Sequence, residues 1–290
     1  MQLRSPPHPH PHSHQPAQPQ RSPDNRSPWT WLPPAVALLL IAMLAVSAAN
    51  RSLFLLLNGF GHELGEAAWL NLTLLGDGAV ALALVLPSIR RSPRCFWAAL
   101  MAAVLAALWV QVLKQVVVMP RPLAVLPPEL FYQSGPAFRA VSFPSGHAAA
   151  IFAIVGIWVM SLPGHPLIRS SLLALAVLVS LSRVMVGVHW PVDILWGMLG
   201  GWLAAWSGLS VYERYRWRTA CAGGLLAGLV LLLVAAALLV SHHVRIPDVL
   251  PLQRLLGAIC LVWGGCEMFL MLPRMSQSKG ELKGGLDGQK

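Results

Sequence analysis

Residues 143–162 read FPSGHAAAIFAIVGIWVMSL. After the tetrad Pro144, Ser145, Gly146 and His147, the chain is apolar on every helical face up to Ser161. A helix that is hydrophobic all round belongs in the core of a large protein or in a membrane. Composition decides between them. Of the 290 residues, 56% are hydrophobic and only 11% charged, where a soluble domain carries about a quarter. That is too few charges to cover a water-facing surface, so the chain reads as an integral membrane protein.

A spanning helix takes about 20 apolar residues. Eight runs approach that length, at about 32–49, 68–88, 95–117, 147–162, 168–186, 191–211, 219–240 and 252–272. The expected fold is therefore all-α, a polytopic membrane helix bundle. The amphipathic segment 50–67 reads as lying at the membrane interface. Residues 1–28 and 273–290 are expected to be disordered tails, the first rich in His and Pro, because they hold too little apolar surface to fold. AVSAAN, 45–50, has the look of a signal-peptidase site, but the first span is read as a retained anchor. The four cysteines, Cys95, Cys221, Cys260 and Cys266, form no CxxC pair and read as small buried apolar residues.

The net charge of +10 does not imply nucleic acid, because Lys and Arg fall in short clusters between apolar runs. Fourteen of the 21 lie on the side of the N-terminal tail. The positive-inside rule then places both termini in the cytoplasm. The 118–146 and 187–190 connections face the opposite side.

Three polar patterns gather on that opposite side. Lys114 ends the third span, and Arg121-Pro122 opens the following loop. Pro144-Ser145-Gly146-His147 starts the fourth span. Ser182-Arg183, His189 and Asp193 join the fifth span to the sixth. Ionisable groups at membrane depth are expensive and usually functional. The cations Lys114, Arg121 and Arg183 call for a polyanion, and a phosphate suits them. Ser145 suits the N-cap of the fourth span, leaving the N–H groups of Gly146 and His147 as an anion site at a helix start. Asp193 can orient His189 and leave one ring nitrogen free to attack; His147 can protonate a leaving oxygen. Asp77, in LLGDGAV, either caps a helix or lines the cavity. Gly197, Gly200 and Gly201 read as close helix packing. His62-Glu63-x-x-Glu66 lacks the second His of a zinc motif and reads as a solvated turn.

Lys114-x6-Arg121-Pro122, PSGH at 144–147 and Ser182-Arg183-x5-His189-x3-Asp193 together resemble the three-part signature of the type 2 phosphatidic acid phosphatase superfamily. That family includes membrane lipid phosphatases and soluble vanadium haloperoxidases. The resemblance covers about residues 33–211. It implies a six-helix lipid phosphatase core, bounded at 29–211; the two additional transmembrane helices in 212–272, read from their apolar runs, fall outside the resemblance. It also implies a phosphohistidine at His189, with Asp193 orienting it and His147 protonating the leaving group. Lys114, Arg121, Ser145, Gly146 and Arg183 would hold the phosphate. No metal and no other cofactor is expected. The implied substrate is a lipid phosphate: undecaprenyl diphosphate, phosphatidylglycerol phosphate, phosphatidic acid or a lipid A phosphate. The expected place is a bacterial inner membrane, with the site facing outward as the charge count directs. A lipid phosphotransferase and a non-enzymatic lipid-headgroup binder stand as alternatives.

Overall fold

The structure, a computed structural model, describes residues 27–272 apart from positions 64, 242 and 245 and the side chain of residue 62. Apart from Ser27 and Pro28, both expected disordered tails lie outside the described residues. In chain order the helices are α1 Pro28–Ser47, α2 Asn50–Glu63, α3 Glu66–Leu74, α4 Gly78–Ala83, α5 Ser88–Arg91, α6 Pro93–Val116, α7 Pro122–Val125, α8 Gly146–Ser161, α9 Pro166–Met185, α10 Pro191–Tyr215, α11 Ala222–Val240 and α12 Leu250–Phe269. Among the described residues there is no strand, only an isolated bridge between Pro120 and Val141.

Among the described residues, six stretches are long and apolar enough to cross a membrane: α1, α6, α9, α10, α11 and Pro247–Phe269. The chain is a multi-pass membrane protein. Large apolar side chains stand outward on these helices, including Leu39 and Met43 on α1, Leu108 on α6, Leu233 on α11 and Val262 on α12. In water such a surface would drive association. Facing lipid, it is matched to its solvent.

The expected span at 68–88 is not one helix. It is broken into α3 and α4, because Asp77 ends one segment and caps the next, accepting from the Ala79 and Val80 N–H groups at 2.9 and 3.3 Å. Average hydropathy over that window is blind to a Gly-Asp-Gly break, where the carboxylate satisfies helix-start donors that would otherwise lack partners. Within the 50–67 segment, Asn50–Glu63 forms α2, which buries Asn58, and Glu66 opens α3.

The short helix α8, 16 residues or about 24 Å long, sits at the centre, packed against α6, α9 and α10. Its burial explains its all-apolar sequence. Glycine lets α10 come close: a Cβ at Gly197 would strike the Ser145 carbonyl, and one at Gly201 the Ala149 carbonyl. Gly200 is filled against by the Trp109 ring. Helix α1 joins the bundle through α10, where Trp202 Nε1 donates to the Thr30 carbonyl at 2.7 Å.

Ion pairs mark the far end of the bundle. Arg94, at the start of α6, meets Glu213 at 2.7 Å, and Glu267 of α12 takes Arg90 and Arg91 at 2.6 Å each. Lys114 lies about 30 Å further along α6, roughly one hydrocarbon thickness away. All four cysteines are free. Cys95 and Cys260 are buried, but Cys221 and Cys266 are exposed, against the expectation. Cys221 stands at the N-cap of α11, and Cys266 on the same outer face of α12 as Ile259 and Val262.

Candidate active site

Three chain segments, far apart in sequence, are locked together at the Lys114 end of the bundle. Arg121 Nη1 donates to the Val188 carbonyl at 2.9 Å, and Trp190 Nε1 to the Pro120 carbonyl at 2.9 Å. The Ser145 N–H donates to the Asp193 carbonyl at 3.0 Å, and the Ser142 N–H to that of Met119 at 2.8 Å. Each polar pattern of the sequence is thus tied to another by backbone groups, so their side chains are positioned by the fold itself.

The result is a cavity of about 370 Å³. Lys114, Arg121, Gly146, His147, Arg183 and His189 all line it. Ser145 and Asp193 are fully buried behind this lining. Ser145 caps α8, accepting from the Ala148 N–H at 3.4 Å. Pro191 opens α10 at a position where no N–H is needed, which leaves His189 just ahead of the helix and Asp193 in its first turn. Asp193 Oδ2 then accepts from the Trp190 N–H at 2.9 Å and stands 3.2 Å from His189 Nδ1.

Two residues outside the sequence patterns complete this arrangement. Ser142 Oγ donates to Asp193 Oδ2 and lies 3.2 Å from His189 Nδ1. Thr73 Oγ1 accepts from Arg183 Nη1 at 2.8 Å, aiming the guanidinium. A third, Asn58, clamps the loop above: its side chain donates to the Tyr132, Val184 and Met185 carbonyls and accepts from the Tyr132 N–H.

The electrostatics favour an anion. Arg121 Nε and Arg183 Nε are buried donors with no partner among the described residues, a costly state that a ligand oxygen would relieve. Burial first, then the charges of Arg121, Arg183 and Lys114, hold the His189 imidazole well below the usual histidine range. It is therefore a neutral base at pH 7, with Nδ1 engaged and Nε2 available to a ligand. No three His, Cys, Asp or Glu side chains gather as a metal-binding group among the described residues.

A second cavity, of about 340 Å³, adjoins the first. Its wall is mostly Ala, Val, Leu and Ile from α4, α6 and α8, with Gln111 and small glycines among them, and it shares Gly146 and His147 with the polar cavity.

Residues 95–218 match the PAP2 superfamily. Curated relatives include the undecaprenyl-diphosphatase of Sulfolobus acidocaldarius, 35% identical over 102 residues that are 35% of this chain and 48% of that protein. The lipid A 1-phosphatase of Rhizobium etli is 35% identical over 74 residues, 25% of this chain and 30% of that protein. The chain thus spans less than half the length of these curated relatives. The crystal structure of Aquifex aeolicus LpxE is 29% identical, covering 56% of this chain and 94% of that one with a TM-score of 0.49. The matched region runs from α6 to just beyond α10 and excludes α11 and α12.

Proposed function

We propose that this chain is an integral membrane phosphatase that hydrolyses a lipid phosphate or diphosphate through a phosphohistidine. The observation that carries the reading is the convergence of Lys114, Arg121, Arg183, His147 and His189 on one cavity. The cations and the N–H groups at the start of α8 hold the phosphoryl oxygens. The His189 Nε2 lone pair forms the N–P bond as the P–O bond to the lipid breaks. His147, protonated against the negative charge of the bound phosphate, gives its proton to the departing oxygen and then takes one from water, which displaces His189 and releases phosphate. Asp193 holds His189 in the tautomer this requires.

The lipid class is supported by the adjoining apolar cavity, which suits a hydrocarbon chain, and by the printed names of the relatives. Undecaprenyl diphosphate, lipid A phosphates, phosphatidylglycerol phosphate and phosphatidic acid share the needed chemistry. The charge distribution supports cytoplasmic termini and a site open to the periplasm or exterior of a bacterial inner membrane. Residues 29–211 form the phosphatase core in this reading, and 212–272 an addition to it.

The test is phosphate release by purified protein from a panel of lipid phosphates with chelator present. Turnover that survives chelator and vanishes in His189→Ala is expected. Turnover that persists in His189→Ala, or depends on a divalent ion, overturns the mechanism.

A further inference from the structure

The two helices beyond the family match bring a polar group to the cavity. The connection between α11 and α12 contributes His243, Val244 and Ile246 to its lining. His243 Nε2 stands 3.1 and 3.3 Å from the two oxygens of Asp77. This is a second imidazole–carboxylate couple in the same cavity, on a wall built from other elements than the one that holds His189 and Asp193.

The couple answers an electrostatic problem. Asp77 lines a cavity whose other charged groups are cationic, and a bare carboxylate there would repel an anion. Its oxygens are instead occupied by the α4 N–H groups and by His243. With Nε2–H donated to Asp77, His243 keeps Nδ1 for another partner, to which the ring donates as an imidazolium, the form in which both nitrogens carry a proton; its side chain is 43% exposed. The described residues of the connection are also tied down. Gln253, fully buried, donates to the Leu238 and Ser241 carbonyls at 2.7 and 2.8 Å and accepts from the Val244 N–H at 3.3 Å. Ile246 lies against Gly135, so the connection also meets the loop ahead of α8.

We propose that this connection reads the substrate headgroup, with His243 contacting the second phosphate of a lipid diphosphate. The proposal rests on the phosphatase reading above. Lys114, Arg121 and Arg183 already exceed the charge of one phosphomonoester dianion. A diphosphate brings a further negative charge, and His243 supplies a donor away from the His189 side of the cavity.

Farnesyl monophosphate and farnesyl diphosphate, which differ only in the headgroup, separate the outcomes with the full-length purified protein. His243→Ala is expected to lower kcat/KM for the diphosphate about tenfold or more, as loss of a charge-assisted hydrogen bond does, while the monophosphate stays within about twofold. His243→Asn, which keeps a donor, should recover part of the loss. Equal losses on both substrates, or none, overturn the proposal. Thermal stabilisation by inorganic pyrophosphate provides a readout independent of turnover. A wild-type protein that hydrolyses neither lipid defeats the phosphatase reading alone, and His243 is then judged on pyrophosphate binding: weaker stabilisation of His243→Ala supports it, and equal stabilisation overturns it.

Discussion

His189 Nδ1 lies 3.2 Å from Asp193 Oδ2, and neither side chain touches solvent to any useful degree. The carboxylate fixes which ring nitrogen faces the cavity. Asp193→Asn keeps the shape and loses the charge, so it should lower kcat by about 10³–10⁴-fold, by analogy with other carboxylate-oriented histidines. KM and the melting temperature should change little. A loss below about tenfold in kcat would leave the carboxylate without this role.

Ser142 tests the same couple from the other side. Its hydroxyl donates to the Asp193 oxygen that His189 also meets. Ser142→Ala removes a donor and leaves a buried carboxylate short of a partner, which costs about 1–3 kcal/mol. The expectation is a drop in kcat of about tenfold or more with an unchanged substrate KM. An unaffected kcat would make Ser142 a packing residue only.

The acid limb of the pH profile follows from burial and the cations around His189. The folded imidazole holds its proton less tightly than the ordinary value of about 6.5, so lowering pH protonates it later than in a free histidine. Activity that needs the neutral ring should persist below that value in kcat/KM, once the substrate phosphate's own titration is divided out. Arg121 is the largest of the charge effects. Arg121→Met should therefore move the limb upward, toward the ordinary value, even as it weakens substrate binding. A limb that stays in place would separate Arg121 from the titrating group.

Gly197 tests the geometry without touching any ionisable group. A methyl there would strike the Ser145 carbonyl, forcing α10 away from the start of α8. Gly197→Ala should cost about 1–3 kcal/mol as overpacking does and lower the melting temperature in detergent. Full stability would mean the two helices are less tightly apposed than they stand here.

Much of this was open to a reader of the sequence. Lys114, Arg121, Arg183, His147 and His189 are conspicuous because charged and titratable groups are rare at membrane depth, and all five line one cavity. Ser145 as an N-cap followed from local rules alone. What escaped were ordinary polar residues whose partners lie far along the chain. Thr73 meets Arg183 across 110 positions, and Asn58 reaches Tyr132 across 74. Nothing local marks them, since Thr and Asn are common and their contacts exist only after the helices pack. The broken 68–88 segment escaped for a different reason: apolar count measures the partition into lipid, whereas a helix is ended by backbone geometry and capping. Asp77, left open between cap and cavity wall, is both.

The polar and apolar cavities share only Gly146 and His147. An amphiphile seated in both would have to bend across this junction. Under the proposed reading, the enzyme meets its substrate in two dimensions, and its rate should follow the mole fraction of lipid in the bilayer. Dilution with inert phospholipid would slow turnover, while adding bulk buffer would not.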